Sequence, residues 1–167
     1  RDFCLSRGLG DVYKRQGKAE QTNEILNQLN GRLYLIKGNH DRYLKESEFN
    51  KERFVWIKPY AEMHDNRRKV VLSHYPIFCY NGQYRRNKKG EPLTYMLYGH
   101  VHDTLDEQLV RQFCQITRQT KKQGKYDEEP MSIPCNMLNC FCMYSDYIPR
   151  TLDEWIDYYS LEGDRRK

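Results

Sequence analysis

The chain has 167 residues, 38 % hydrophobic and 31 % charged, with a formal net charge of +5. That length buries a real core within one domain, and the composition is that of a polar but foldable chain. No apolar run approaches the roughly 20 residues of a membrane span, and no apolar h-region marks a secretory signal, so the cytosol is the expected compartment.

Residues 1–16 stand apart. Ser6 to Gln16, Ser-Arg-Gly-Leu-Gly-Asp-Val-Tyr-Lys-Arg-Gln, resembles a translated sequencing-library adapter and is set aside as a non-native segment. Without residues 1–16 the net charge falls to +3, too little to argue for nucleic acid. Residues 17–167 are then expected to form one domain. Lys18 to Asn30 reads as a helix with Ile25, Leu26 and Leu29 on one face and Gly31 as its stop. Leu33 to Ile36 reads as a buried strand that delivers Gly38-Asn39-His40-Asp41. The charged stretch from Arg42 to Arg53 is expected to be partly helical, and Phe54 to Ile57 to be a strand. Tyr60 to Met63 and Lys69 to Leu72 are expected to pair as a hairpin through Asp65-Asn66-Arg67.

The second strand of that hairpin feeds Ser73-His74-Tyr75-Pro76. A loop follows from Tyr80 to Glu91, with Asn81-Gly82 as a turn and Arg85, Arg86, Lys88 and Lys89 as a basic cluster. That cluster reads equally as a solvated loop or, through Arg85 and Arg86, as a contact for a phosphorylated substrate. Tyr75, Tyr80, Tyr84 and Tyr95 read as core and rim packing, and His64 as a solvated turn residue. Thr94 to Tyr98 is a strand leading to Gly99-His100-Val101-His102, where Gly99 is expected to permit the bend that lets the two histidines converge. Thr104-Leu105-Asp106-Glu107 and Thr151-Leu152-Asp153-Glu154 both read as capping boxes. The first opens a helix with Leu105, Leu109, Phe113 and Ile116 inward; the second opens a terminal helix through Trp155 and Ile156, frayed from Gly163. Gln119 to Pro130 reads as exposed, and Ser132 to Tyr144 includes strand. The six cysteines lack Cys-x-x-Cys spacing and read as buried, reduced thiols.

Each of the three histidine signals follows an apolar run, which is how a sheet presents ligands along one edge. Imidazole nitrogen and amide oxygen together suit Mn, Fe, Zn, Co or Ni. His40 followed by Asp41 has the look of a general acid oriented by a carboxylate. In order and spacing the three blocks resemble the last three motif blocks of the calcineurin-like metallophosphoesterases, over most of residues 17–156. The resemblance implies a four-layer α/β sandwich of two mixed β-sheets flanked by helices, with the first strands missing, and a dinuclear centre for two divalent metal ions. By motif position Asn39, His74 and His100 would ligate one metal and His102 the other. His40 would protonate the leaving group or stabilise the transition state, and Asp41 would orient it. The metals would clamp the phosphoryl oxygens of a phosphorylated small molecule or nucleotide and supply a hydroxide for attack.

Two departures qualify this. Ser73 stands where the family commonly has Gly. The family's upstream Asp-x-His and Gly-Asp blocks are absent, because Gly10-Asp11 lies within the adapter-like segment and is a decoy. The expectation is a phosphoesterase impaired in this form. The alternatives are a non-catalytic scaffold of the same fold, or a nucleic-acid-binding module using the basic loop.

Overall fold

The computed structural model describes residues 19–125 and 128–165, with side chains to residue 161. The adapter-like segment, Cys4, the Gly10-Asp11 pair and Lys18 lie outside the described residues. Helix α1 (Ala19–Gln28) places Leu26 in the core, with Ile25 and Leu29 half-buried. Gly31 follows with φ +87°, a left-handed conformation that glycine adopts at little cost. Strand β1 (Leu33–Ile36) runs parallel to β2 (Phe54–Lys58), and two short 3₁₀ turns, Arg42–Lys45 and Lys51–Arg53, lie in the crossover. One face of this pair packs Leu33, Leu35, Phe54 and Ile57 against α1 and the turn residues Tyr43, Leu44 and Phe49.

The second sheet has four strands in the order β3-β4-β5-β8: β3 (Tyr60–Asp65), β4 (Arg68–Ser73), β5 (Thr94–Tyr98) and β8 (Met137–Asn139). The β3–β4 pair is antiparallel and the other two pairs are parallel. Asn66 and Arg67 both have positive φ (46° and 67°), the two-residue hairpin turn whose twist matches the strands. Helix α2 (Leu105–Gln119) crosses over from β5 to β8, a short ribbon β6 (Lys121–Lys122) with β7 (Met131–Ser132) follows it, and α3 (Leu152–Arg165) closes the chain.

The central strands are buried on both faces, which is why they read as near-continuous apolar runs. Val70, Leu72, Leu97 and Leu138 pack with α3 through Leu152 and Trp155, and Ile36 of β1 joins them. Val71, Met96, Tyr98 and Met137 face α2 through Val110 and Cys114. The fold is mixed α/β. No helix among the described residues is long and apolar enough to cross a membrane.

Several expectations are corrected. In α2 the buried residues are Glu107, Val110 and Cys114, with Phe113 half-buried against Phe78, whereas Leu105, Leu109 and Ile116 are more than half exposed. Val110, Phe113 and Cys114 form the stripe that packs on the sheet, and Glu107 on the same side enters a buried polar network. Helix α3 continues past Gly163 to Arg165. His64 lies in β3 opposite Lys69 and is exposed there. Cys114, Cys135 and Cys140 are buried free thiols, Cys142 is half-buried and Cys79 is exposed.

A carboxylate on the hairpin gives a pH-dependent contribution. Lys69 (2.5 Å), the Tyr60 hydroxyl and the Asn81 amide (2.9 Å) all bond Glu62. Those bonds, that of Lys69 foremost, hold its carboxyl down at about 2. A depressed carboxylate stabilises the fold above its unfolded value of about 4.3, and the contribution is lost as pH falls toward 2. Urea unfolding of wild type and Glu62→Gln at several pH values should therefore show a gap at pH 7 that closes by pH 2. A constant gap would contradict the assignment.

Candidate metal centre

Strands β1, β4 and β5 present their C-terminal ends on one side of the molecule, and each continues directly into a histidine signal. The join between the last two is a backbone bond from Gly99 N–H to the His74 carbonyl, at 3.1 Å. Three side-chain atoms meet there. His74 Nε2 lies 2.6 Å from Asn39 Oδ1 and 3.0 Å from His100 Nδ1, and the third edge, His100 Nδ1 to Asn39 Oδ1, is 3.3 Å.

The donor set tests whether a cation fits. An amide oxygen carries no proton, and a neutral imidazole presents one lone-pair nitrogen. Metal–ligand bonds of about 2.1 Å at right angles place neighbouring donors roughly 3.0 Å apart. The observed triangle spans that value, and it is also the spacing of a hydrogen-bonded triad in which one imidazole N–H donates to the Asn39 amide oxygen. Among the described residues no group of three or more His, Cys, Asp or Glu is arranged to hold a metal ion; the cluster is two imidazoles and an amide.

Close packing sets the His74 ring. It is 8 % exposed, and a Cβ built on Gly38 would fall 2.8 Å from its Cε1 and Nδ1. The glycine of Gly38-Asn39-His40-Asp41 is thus an approach of backbone to ring. The half-exposed Tyr75 ring stands edge-on to His74 at 4.9 Å and lies 4.4 Å from His100, giving both imidazoles a wall.

The Asp41 carboxylate accepts the Gly38 N–H at 2.6 Å, which closes the turn carrying Asn39 and His40. His40 is half-buried, and its carbonyl accepts the Arg42 N–H at 2.8 Å. The bend at Gly99-His100-Val101-His102 is made by the histidines: His100 has φ +63° and His102 φ +49°, and Gly99 is not left-handed. Left-handed non-glycine residues cost free energy and cluster where a site over-determines them. The His102 ring stacks on Phe141, with centroids 4.6 Å apart and planes at 14°.

Arg85 and Arg86 are not brought to this cluster. Leu93 N–H bonds the Arg85 carbonyl and Arg86 bridges Pro92, both just ahead of β5, while Lys69 at the start of β4 bonds Leu93. They therefore sit at the N-terminal end of the parallel strands, about 16 Å from the histidine end for five residues of strand. The loop leaves the His74 end but returns across the sheet before presenting its arginines. Tyr80 is buried and Tyr84 exposed under Lys122.

Pattern reading of the sequence missed three residues of this site. Asn139 and Glu107 are 0 % and 2 % exposed. Glu107 accepts bonds from Tyr98 Oη (2.7 Å), Asn139 Nδ2 (2.9 Å) and Arg111 Nε (2.8 Å). Burial first, and then the Glu107 charge, push the Tyr98 phenol well above its ordinary value, so it stays a donor. Phe141 is the third. Nothing local in the sequence marks them.

No family model matches the chain. Among curated proteins it is similar to an uncharacterized protein of Methanocaldococcus jannaschii, 35 % identical over 60 residues, which are 34 % of this chain and 34 % of that protein. The chain thus spans about a third of the length of that relative. No solved structure matches.

Proposed function

We propose that this chain is related to the calcineurin-like metallophosphoesterases, with Asn39, His74 and His100 as ligands of one divalent metal and His102 as a ligand of a second. The observation that carries this is the convergence of Asn39 Oδ1, His74 Nε2 and His100 Nδ1 within 2.6–3.3 Å. The four-layer sandwich belongs to the same reading, and the shared packing of Ile36 with Leu72 and Leu97 supports it. Bound metals would supply Lewis-acid polarisation of a phosphoryl group and an activated water. The chain's own contribution is orientation. Asp41 fixes the turn, Tyr75 and Gly38 fix the His74 ring, and His40 stands beside Asn39 as the proton donor to the leaving oxygen. A phosphorylated small molecule or nucleotide is the proposed substrate; the leaving group is not fixed by such a site.

Because these residues assemble one set of three donors, the purified chain is expected to bind one Mn²⁺, Co²⁺ or Zn²⁺ and to hydrolyse an activated phosphodiester slowly. Titration calorimetry with each metal, on wild type and His100→Ala, is the measurement. Equal affinity in the two proteins, or no binding by either, would sink the proposal.

A further inference from the structure

The geometry points to Asn139 as the residue that positions His102, with Glu107 holding Asn139 in the orientation this requires. One side chain reaches His102 from two directions. Its Nδ2 donates to the His102 carbonyl at 2.8 Å, fixing the backbone at a left-handed residue. Its Oδ1 accepts the Phe141 N–H at 3.1 Å, fixing the residue whose ring lies flat on the His102 imidazole. The second proton on Nδ2 goes to Glu107 at 2.9 Å. Both amide protons and the carbonyl oxygen are thereby used.

The carboxylate decides which way the amide faces. With Asn139 rotated by half a turn, an oxygen would face both Glu107 and the His102 carbonyl, and an NH₂ would face the Phe141 N–H. All three contacts would become repulsive, at a side chain wholly buried from solvent. Glu107 is itself held by Tyr98 and Arg111, and the Asn139 backbone is held at both ends by the Tyr159 hydroxyl, at 3.0 and 3.1 Å. The chain of support runs from α2, β5 and α3 into one imidazole. Outer partners of this kind set ligand orientation, and losing one costs about 10- to 100-fold in metal affinity.

The inference rests on the proposed function only for what His102 is positioned to bind, and the test separates the two. In metal-free protein at one fixed pH, the His102 ring protons are expected upfield in the NMR spectrum, under the Phe141 ring current. Asn139→Ala and Asn139→Asp should remove or reduce that displacement while the His64 signals stay in place. Wild-type displacement in both variants would overturn the positioning role. If neither variant folds, the wild-type protein still decides: Asn139 side-chain amide protons that exchange with solvent as fast as those of an exposed asparagine such as Asn27 would overturn it. Adding Co²⁺ then tests the reading beneath. Paramagnetic broadening of His102, weakened about 10- to 100-fold in Co²⁺ concentration by Asn139→Ala, supports both. Ring displacement that depends on Asn139, without any broadening of His102 by Co²⁺, supports the positioning role and removes His102 from the ligands.

Discussion

Gly38→Ala is expected to weaken metal binding by about 100-fold or more, although it replaces none of the proposed ligand residues. The added methyl would lie 2.8 Å from two atoms of the His74 ring and 3.2 Å from a third. The ring has nowhere to retreat, being 8 % exposed and walled by Tyr75 and His100. A metal site tolerates about 0.2 Å in its bond lengths, less than the shift the methyl imposes. The substitution thus acts as a ligand deletion, and outer-partner losses of about 10- to 100-fold set a lower bound. Gly31→Ala is the control. Nothing lies within 4 Å of its Cβ, but φ is +87°, so it should cost about 1–2 kcal/mol of stability and leave affinity unchanged. Calorimetric titration with Co²⁺ and thermal unfolding of both variants check the pair. A Gly38→Ala protein with wild-type affinity would refute the close-approach argument.

The second large effect concerns one tetrapeptide found twice. Thr-Leu-Asp-Glu occupies residues 104–107 and 151–154, at the start of α2 and α3. At the second, the capping box forms: the Thr151 N–H donates to Glu154 Oε2 at 2.6 Å, and the Glu154 N–H to Thr151 Oγ1 at 3.3 Å. At the first it does not. Thr104 Oγ1 donates to the Val101 carbonyl at 2.6 Å, and Glu107 turns inward to the network with Tyr98, Asn139 and Arg111. Thr151→Ala should cost about 1 kcal/mol, an ordinary lost cap. Glu107→Ala leaves a buried phenol, an amide proton and a half-buried guanidinium without their acceptor, and should cost about 3–5 kcal/mol. That is a large share of the 5–15 kcal/mol that holds a typical domain folded. Urea unfolding of the two variants checks the ordering; a Glu107→Ala cost no greater than that of Thr151→Ala would refute it.

The elements most readable in the sequence are those set by local physics. Leu33–Ile36, Thr94–Tyr98 and the Asn66-Arg67 hairpin follow from apolar runs and turn chemistry, and all three are present. Asn39, His74 and His100 were grouped by the resemblance of their motif blocks, and the structure brings the three side chains together at the ends of β1, β4 and β5. Arg85 and Arg86 are not brought there, because a loop's path between two strand ends is decided by what it crosses. Leu105, Leu109 and Ile116 have helical spacing, but so do Val110, Phe113 and Cys114, and it is this second stripe, with Glu107, that faces the sheet.

By itself, then, the sequence determined the first five strands and the hairpin turn, since those depend on neighbours a few positions away. Tertiary structure alone decided how the two Thr-Leu-Asp-Glu segments differ, and that His100 and His102, not Gly99, take up the left-handed bend. The physical reason is the same in both cases. Polar groups buried from water must find partners, and for Glu107 those partners include Asn139, 32 residues away along the chain.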